Sequence, residues 1–282
     1  MKYMTFNSSC SYGGLANMLE QYGVDVEDRD IALEMKLPYL FTCENGGYLA
    51  GPMLQSAEWF NLYLHPMGFA MVETELLPGQ APIFLKGQRT AMLGLQVEQG
   101  EKHAVVYVGY QNEKLMFLNN KWRDSEEPEQ LLLSQSELLE RIGSTVTIAT
   151  IKTIPPQRVA YARRLRNSAE VMRQNVAQIR CLCAKEERVG FLRAQLNHLF
   201  RPLLLDGITM LELLGQTRLA HRFTTLQGGL LGGLRQDSNA KIILGRYLDV
   251  LELTAATEEY IGLIMSAAEH CQRNEEEGRE EP

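Results

Sequence analysis

The hydrophobic pattern of the chain changes its period at Ile154-Pro155-Pro156, and this change constrains the fold more than any other feature. Before this point, short runs rich in β-branched and aromatic residues are separated by Gly, Gln, Asn and Glu, which is typical of strands joined by short turns. After it, apolar residues recur every three or four positions, which is the period of a helix. The first positions with that period are Val159, Ala162, Leu165, Ala169, Met172 and Val176. The sequence therefore predicts two different architectures.

The N-terminal half is predicted to be an α+β domain with an antiparallel sheet. The predicted strands are Pro82–Leu85, Ala91–Val97, Ala104–Tyr110, Leu115–Leu118 and Thr145–Ile151. The predicted helices are Cys10–Tyr22, Asp28–Met35, Pro52–His65 and Ser136–Ile142. Because helices come first and strands follow, the pattern differs from the regular alternation that builds a parallel sheet.

The C-terminal half is predicted to be an all-helical domain of about four or five helices. The predicted domains are 1–153, 154–272 and a disordered acidic tail over 273–282. The apolar stripes of the helices need a surface to bury them. Packing against the first domain and formation of a homodimer through the helical domain are both open.

Composition excludes several classes of partner. With 45% hydrophobic residues, the chain can bury a sizeable core, and its formal net charge of -7 gives no field that attracts nucleic acid. No run of 18 apolar residues occurs, so no membrane span is expected. The five cysteines lack disulfide-like spacing and no secretory signal is recognised, which favours a reduced, cytoplasmic location.

One cysteine stands where a thiol is most easily activated. The segment Asn7-Ser8-Ser9-Cys10-Ser11-Tyr12-Gly13-Gly14 places capping residues directly before Cys10, so that Cys10 opens the first predicted helix. Free N–H groups and the helix dipole at that end favour an anion and lower the pKa of a thiol. Cys10 is therefore the candidate nucleophile.

A thiolate nucleophile needs a base, and His103 is the best placed of the five histidines. It stands at the entrance of the predicted strand Ala104–Tyr110. The next strand ends at Asn119-Asn120, and a hairpin would return these amides to the vicinity of His103. One of them could orient the imidazole.

At these residues the sequence resembles the papain-like fold in its short bacterial form. It is similar to bacteriocin-processing cysteine peptidase domains and, more closely, to the amino-terminal domain of butirosin biosynthesis protein H, over about residues 7–151. The resemblance implies a catalytic triad of Cys10, His103 and Asn119, the last where relatives often carry Asp. Members of the bacteriocin-processing group use a glutamine about six residues before the cysteine in the oxyanion hole. That place is Met4 here, so Asn7 and the backbone N–H of Cys10 are the expected oxyanion donors.

No metal site and no cofactor are expected. Cys181 and Cys183 are two residues apart on a predicted helix, which places them on nearly opposite faces. The Gly pairs lack the Lys-Ser or Lys-Thr of a phosphate loop. Cys43 is expected to be an ordinary thiol in a loop.

The leading hypothesis is a cysteine-dependent acyl-transfer enzyme that acts on a peptide, an amide or an acyl thioester, the last including one on a carrier protein. The alternative is a non-catalytic papain-like binding or assembly protein with a helical dimerisation domain. The sequence does not separate hydrolysis from transfer to an amine.

Overall fold

The structure is a computed structural model that describes residues 1–96 and 102–277. It is an α+β protein with an antiparallel six-stranded sheet and a helical C-terminal region. The chain divides into two compact units. The first combines Met1–Met35 with Gln55–Val159, and the second combines Lys36–Leu54 with the chain from Ala160 onward.

The first unit contains the six-stranded sheet and five helices. Its helices are α1 (Cys10–Glu20), α2 (Asp28–Glu34), α3 (Ala57–Leu64), α4 (Ala81–Lys86) and α5 (Gln135–Arg141). Its strands are β3 (Phe69–Leu76), β4 (Ala91–Gln96), β5 (Lys102–Gln111), β6 (Lys114–Asn119), β7 (Gln130–Leu133) and β8 (Val146–Thr153). The order in the sheet is β3-β8-β4-β5-β6-β7. Consecutive strands β4 to β7 are neighbours, as a meander predicts, and β8 returns to lie between β3 and β4.

Close approach between α1 and the sheet depends on Gly14. A Cβ atom at this position would lie 2.5 Å from Met92 Sδ and 2.7 Å from Asn120 Nδ2. Because ordinary non-bonded contacts are much longer, a larger residue would push the helix away. Gly14 therefore fixes the distance between the start of α1 and the strands that follow it in the chain.

The sheet is stabilised by a buried apolar cluster that helices α4 and α5 cover. Leu85 from α4 and Leu138 from α5 pack with side chains of the central strands, among them Tyr107 and Phe117. Burial of such residues removes a large apolar area from water, which is the main force that stabilises a domain. The sheet is thus a rigid support for residues at the ends of its strands.

The second unit is helical apart from short antiparallel ladders. Its helices are α6 (Ala162–Cys183), α7 (Val189–Ala194), α8 (Gly207–Leu213), α9 (Thr217–Leu234) and α10 (Val250–Glu277), with π-helical turns at Leu196–Phe200 and Pro202–Asp206. Its strands are β1 (Phe41–Glu44), which pairs with β2 (Gly47–Ala50), and β9 (Glu186–Arg188), which pairs with β10 (Lys241–Ile243).

Several elements differ from the sequence-based predictions. Pro82–Leu85 is not a strand but most of helix α4, because a proline is well suited to the first turn of a helix. Strands β3 and β7 were not predicted. Cys43 lies in strand β1 and not in a loop, in a hairpin whose turn places Asn45 (φ 50°) and Gly46 (φ 78°) in the left-handed region. Asn-Gly is the usual sequence for such a turn.

The unit boundary also differs from the single division predicted at Ile154. Residues Lys36–Leu54 group with the helical region because the β1–β2 hairpin packs against α6. The Ser168 hydroxyl of α6 donates to the backbone oxygen of Phe41 (3.2 Å) and accepts from its N–H (3.0 Å). Helix α10 continues to Glu277, through the first part of the tail predicted to be disordered, and 278–282 lie outside the described residues.

Over the described parts of the chain, no helix combines the length and the apolar character that a membrane crossing requires.

Candidate active site

Cys10 is the first residue of α1, and the turn that leads into it is held by a buried carboxylate. Asp28 is completely buried at the start of α2, and its Oδ2 accepts a 2.7 Å hydrogen bond from the Ser9 hydroxyl. The Thr5 backbone N–H donates to the same oxygen at 2.8 Å, and the Thr5 hydroxyl donates to Oδ1 at 2.6 Å. Burial raises the pKa of Asp28, although these hydrogen bonds act to lower it. The carboxylate thus anchors both ends of the turn before Cys10.

Cys10 and His103 interact through their side chains. His103 is the second residue of β5 and is partly buried. The hydrogen bond with Cys10 raises the pKa of His103, which burial acts to lower, and the charges of Cys10 and Glu127 and the nearby Asn119 side chain raise it further. The imidazolium form of His103 is therefore favoured beside the thiol.

The pKa of Cys10 shifts in the opposite direction. Burial acts to raise it, but hydrogen bonds with the His103 side chain and the Ala104 backbone, and then the charge of His103, outweigh burial, so the net pKa is lowered. The Ser11 side chain contributes in the same direction. A lowered thiol pKa beside a raised imidazole pKa is the electrostatic signature of a thiolate–imidazolium pair.

Asn119 lies on the His103 side of the sheet. Strand pairing sets Asn119 opposite Val105, two residues after His103, so Asn119 and His103 are diagonal neighbours within reach of each other. The Asn119 amide nitrogen donates to Glu127 Oε2 at 3.1 Å and to Pro128 O at 3.0 Å. With both N–H groups used, the carbonyl oxygen Oδ1 is left as the group that can accept from the imidazole.

The neighbouring Asn120 has different contacts. It is completely buried, donates to Ala104 O at 2.9 Å and accepts from Asn17 Nδ2 at 3.1 Å. These bonds connect strand β5 with helix α1, since Asn17 belongs to α1. The Asn119 side chain therefore contacts the loop after β6, whereas the Asn120 side chain joins β5 to α1.

The two expected oxyanion donors lie in the turn before α1 and at the first residue of that helix. Asn7 is exposed in the turn before α1, and no hydrogen bond to Cys10 is assigned to it among the described residues. Met4 forms a bridge with Trp122, its N–H bonding to Lys121 O at 2.9 Å. The Cys10 N–H begins the helix, where N–H groups have no acceptor within the helix.

Sequence reasoning missed another amide, which is linked to Cys10 through Ser11. The Ser11 hydroxyl donates a 2.8 Å hydrogen bond to Gln55 Oε1. Because Ser11 also interacts with Cys10, Gln55 is joined to the thiol through one hydroxyl. No local pattern marks Gln55, which comes from a segment 44 residues later in the chain.

The other cysteines have different surroundings. Cys43 and Cys181 are exposed, whereas Cys183 and Cys271 are buried. Burial raises the pKa of Cys183 to about 11 and also raises that of Cys271. Within the described residues, no cluster of His, Cys, Asp and Glu could hold a metal ion.

No protein-family model and no curated protein matches the chain. Among solved structures, the chain is similar to the peptidase domain of Streptococcus ComA, a bi-functional ABC transporter involved in a quorum sensing pathway. The identity is 13% and the TM-score 0.37, over 54% of this chain and 96% of that domain. Nothing about activity follows from a likeness of this degree.

Proposed function

We propose that this protein is a cysteine-dependent acyl-transfer enzyme of papain-like type, with Cys10 as nucleophile and His103 as general base and acid. The observation that carries this proposal is the interaction of the Cys10 thiol with His103, in which the thiol pKa is lowered and the imidazole pKa is raised. A buried cysteine that serves only packing has a raised pKa, as Cys183 does. The pairing at a helix start is the arrangement that nucleophilic catalysis needs.

The proposed reaction has two steps. In the first, the Cys10 thiolate attacks the substrate carbonyl, and the bond to the leaving group breaks as that group takes the proton from the His103 imidazolium. In the second, neutral His103 removes a proton from water or an amine, which attacks the thioester and releases Cys10. Asn119 would hold the ring in place through both steps. The Cys10 N–H and Asn7 would stabilise the oxyanion.

The substrate class is a peptide, an amide or an acyl thioester, and the second nucleophile decides the outcome. Water gives a hydrolase, and an amine gives an acyltransferase. Hydrolysis and transfer to an amine use the same catalytic residues, so only the products distinguish the two reactions. Incubation of a thioester substrate with and without an added amine, followed by mass spectrometry, distinguishes the free acid from the amide.

The test of the proposal is the reactivity of Cys10 compared with a cysteine of the same chain. Brief labelling with iodoacetamide near pH 6.5 should modify Cys10 about tenfold faster than exposed Cys43, although Cys43 is more accessible. His103→Ala should slow the labelling of Cys10 and leave that of Cys43 unchanged. Mass spectrometry of the labelled peptides gives both rates from one sample, so that Cys43 is an internal control.

A second experiment tests covalent catalysis itself. The wild-type protein should form an acyl-enzyme with an activated thioester, and Cys10→Ala should abolish the adduct while the unfolding midpoint stays close to that of the wild type. If Cys10 reacts no faster than Cys43 and His103→Ala has no effect, the enzyme proposal is wrong. A non-catalytic papain-like binding or assembly protein then takes its place.

A further inference from the structure

The loop that joins β6 to β7 is fixed at several points beside the candidate site. The Asn119 N–H donates to Glu129 O at 2.8 Å, which closes the loop at its base. Lys121 is buried, and its ammonium group donates to Ser125 O at 2.6 Å and to Glu127 O at 2.8 Å. A buried cation that binds two backbone carbonyls costs solvation and is retained only in a well-defined loop. The backbone of Glu127 is therefore held in place.

The side chain of Glu127 reaches the amide that lies beside His103. Asn119 Nδ2 donates to Glu127 Oε2 at 3.1 Å and to Pro128 O at 3.0 Å. Asn119 itself is buried, with only 6% of its surface exposed. An amide whose two N–H groups are both held cannot turn its nitrogen toward the imidazole. The carboxylate of Glu127 thus selects the orientation in which Oδ1 is free for His103.

We infer that Glu127 is a positioning residue of the active site, which orients Asn119 through their hydrogen bond and supplies the negative charge that Asn119 itself lacks. This inference rests on the proposed function, since it assigns Glu127 a role toward the His103 imidazolium. The Asn119 carbonyl oxygen would accept the hydrogen bond from the ring. The Glu127 carboxylate, which binds the amide nitrogen of Asn119, would supply the negative charge.

The electrostatics of His103 agree with this geometry. Among the described residues, the titratable groups that shift the pKa of His103 are Cys10, at the start of α1, and Glu127, in the loop after β6. The strongest effect on the pKa of His103 is the hydrogen bond with Cys10, and the Glu127 charge raises the pKa in the same direction. His103 Nε2 is buried and has no hydrogen-bond partner among the described residues. A positive charge on this ring therefore depends on the groups around it.

The experiment is a titration of the His103 ring by NMR in protein labelled with ¹⁵N-histidine, with the signal assigned by its loss in His103→Ala. Glu127→Gln keeps the size of the side chain and removes the charge. We expect the midpoint of His103 to fall by about half a pH unit, the effect of one charge several ångströms away near the surface. The matched control is Glu126→Gln, which makes the same change in net charge at the adjacent, exposed position and should shift the midpoint much less.

Two results of the titration would overturn the inference: no shift in Glu127→Gln, or an equal shift in Glu126→Gln. A change in the unfolding midpoint without a change in the titration would mean a purely structural role and would also overturn it. The result is separable from the proposed function, which depends on the labelling of Cys10. If Glu127→Gln shifts His103 but His103→Ala leaves Cys10 labelling unchanged, the enzyme proposal fails and the Glu127–Asn119–His103 coupling stands.

Discussion

The Ser9 hydroxyl donates a 2.7 Å hydrogen bond to Asp28 Oδ2, so the residue before Cys10 is anchored by a carboxylate from the next helix. Asp28 also accepts from the N–H and the hydroxyl of Thr5. The whole turn before the candidate nucleophile is therefore tied to one buried side chain. Loss of the Asp28 carboxylate should therefore affect both the stability of the fold and the reactivity of Cys10.

Asp28→Ala should lower the free energy of unfolding by about 3 kcal/mol, because the buried Ser9 hydroxyl and the N–H and hydroxyl of Thr5 all lose their acceptor. Ser9→Ala removes only one bond and should cost about 1 kcal/mol. Urea unfolding measures both. In native buffer, Asp28→Ala should also slow the labelling of Cys10 through displacement of the turn. Equal stability of Asp28→Ala and the wild type would contradict the anchoring role.

The parts of the site that the sequence predicts are those set by local rules. Cys10 follows capping residues at a helix start, and His103 and Asn119 stand at strand ends that a hairpin brings together. Sequence reasoning missed Asp28 and Gln55 because each acts on residues far away along the chain, through a contact that only the fold creates. Glu127 lies in an exposed polar loop, where a carboxylate carries no signal of its own.

In the fold, too, local sequence patterns predict some features and miss those that depend on contacts between distant segments. The change of period at Ile154 predicts a β-rich region followed by a helical one. Periodicity cannot reveal that Lys36–Leu54 belongs with the later helices, because that grouping depends on the packing of the β1–β2 hairpin against α6, which only the fold creates. The misassigned segment Pro82–Leu85 is short and apolar, and in so short a run the two periods cannot be told apart.

Asn119 and Asn120 should behave oppositely on substitution. Asn119→Ala should reduce the rate of acyl-enzyme formation roughly tenfold, a fraction of what a well-placed acid–base group contributes, and change stability little. Asn120→Ala should destabilise the fold by about 2 kcal/mol, since it leaves buried Ala104 O without its side-chain donor and removes the bond that joins Asn120 to Asn17 in α1. Rates with a thioester and urea unfolding of both variants separate the two roles. A reversed pattern would mean that Asn120 supports the imidazole.

The second unit contains a carboxylate that should make stability depend on pH. Asp206 is 3% exposed, and burial raises its pKa to about 6, although Arg201 at 3.0 Å acts to lower it. The folded protein then binds a proton that the unfolded chain releases near pH 4. Protonated Asp206 therefore stabilises the fold below about pH 4. Its contribution to the free energy of unfolding, roughly 3 kcal/mol, is lost as the pH rises to about 6.

Urea unfolding between pH 4 and pH 6 measures this effect as the difference between the wild type and Asp206→Asn, which cannot titrate. The difference should change across that range. The matched control is Asp237→Asn, because Asp237 is an exposed aspartate of the same unit. An unchanged difference across the range would show that Asp206 titrates alike in both states.

The last prediction concerns the donor that stabilises the oxyanion. If Asn7 has this role, Asn7→Ala should slow acyl-enzyme formation by about 10²-fold, the usual effect of removing one such donor. Alkylation of Cys10 by iodoacetamide passes through no oxyanion, so its rate should not change. Gln55→Ala is the comparison, because Gln55 Oε1 accepts from Ser11 and its Nε2 is the donor left over. Loss of acylation in Gln55→Ala, with normal acylation in Asn7→Ala, would transfer the oxyanion role from the turn before α1 to Gln55.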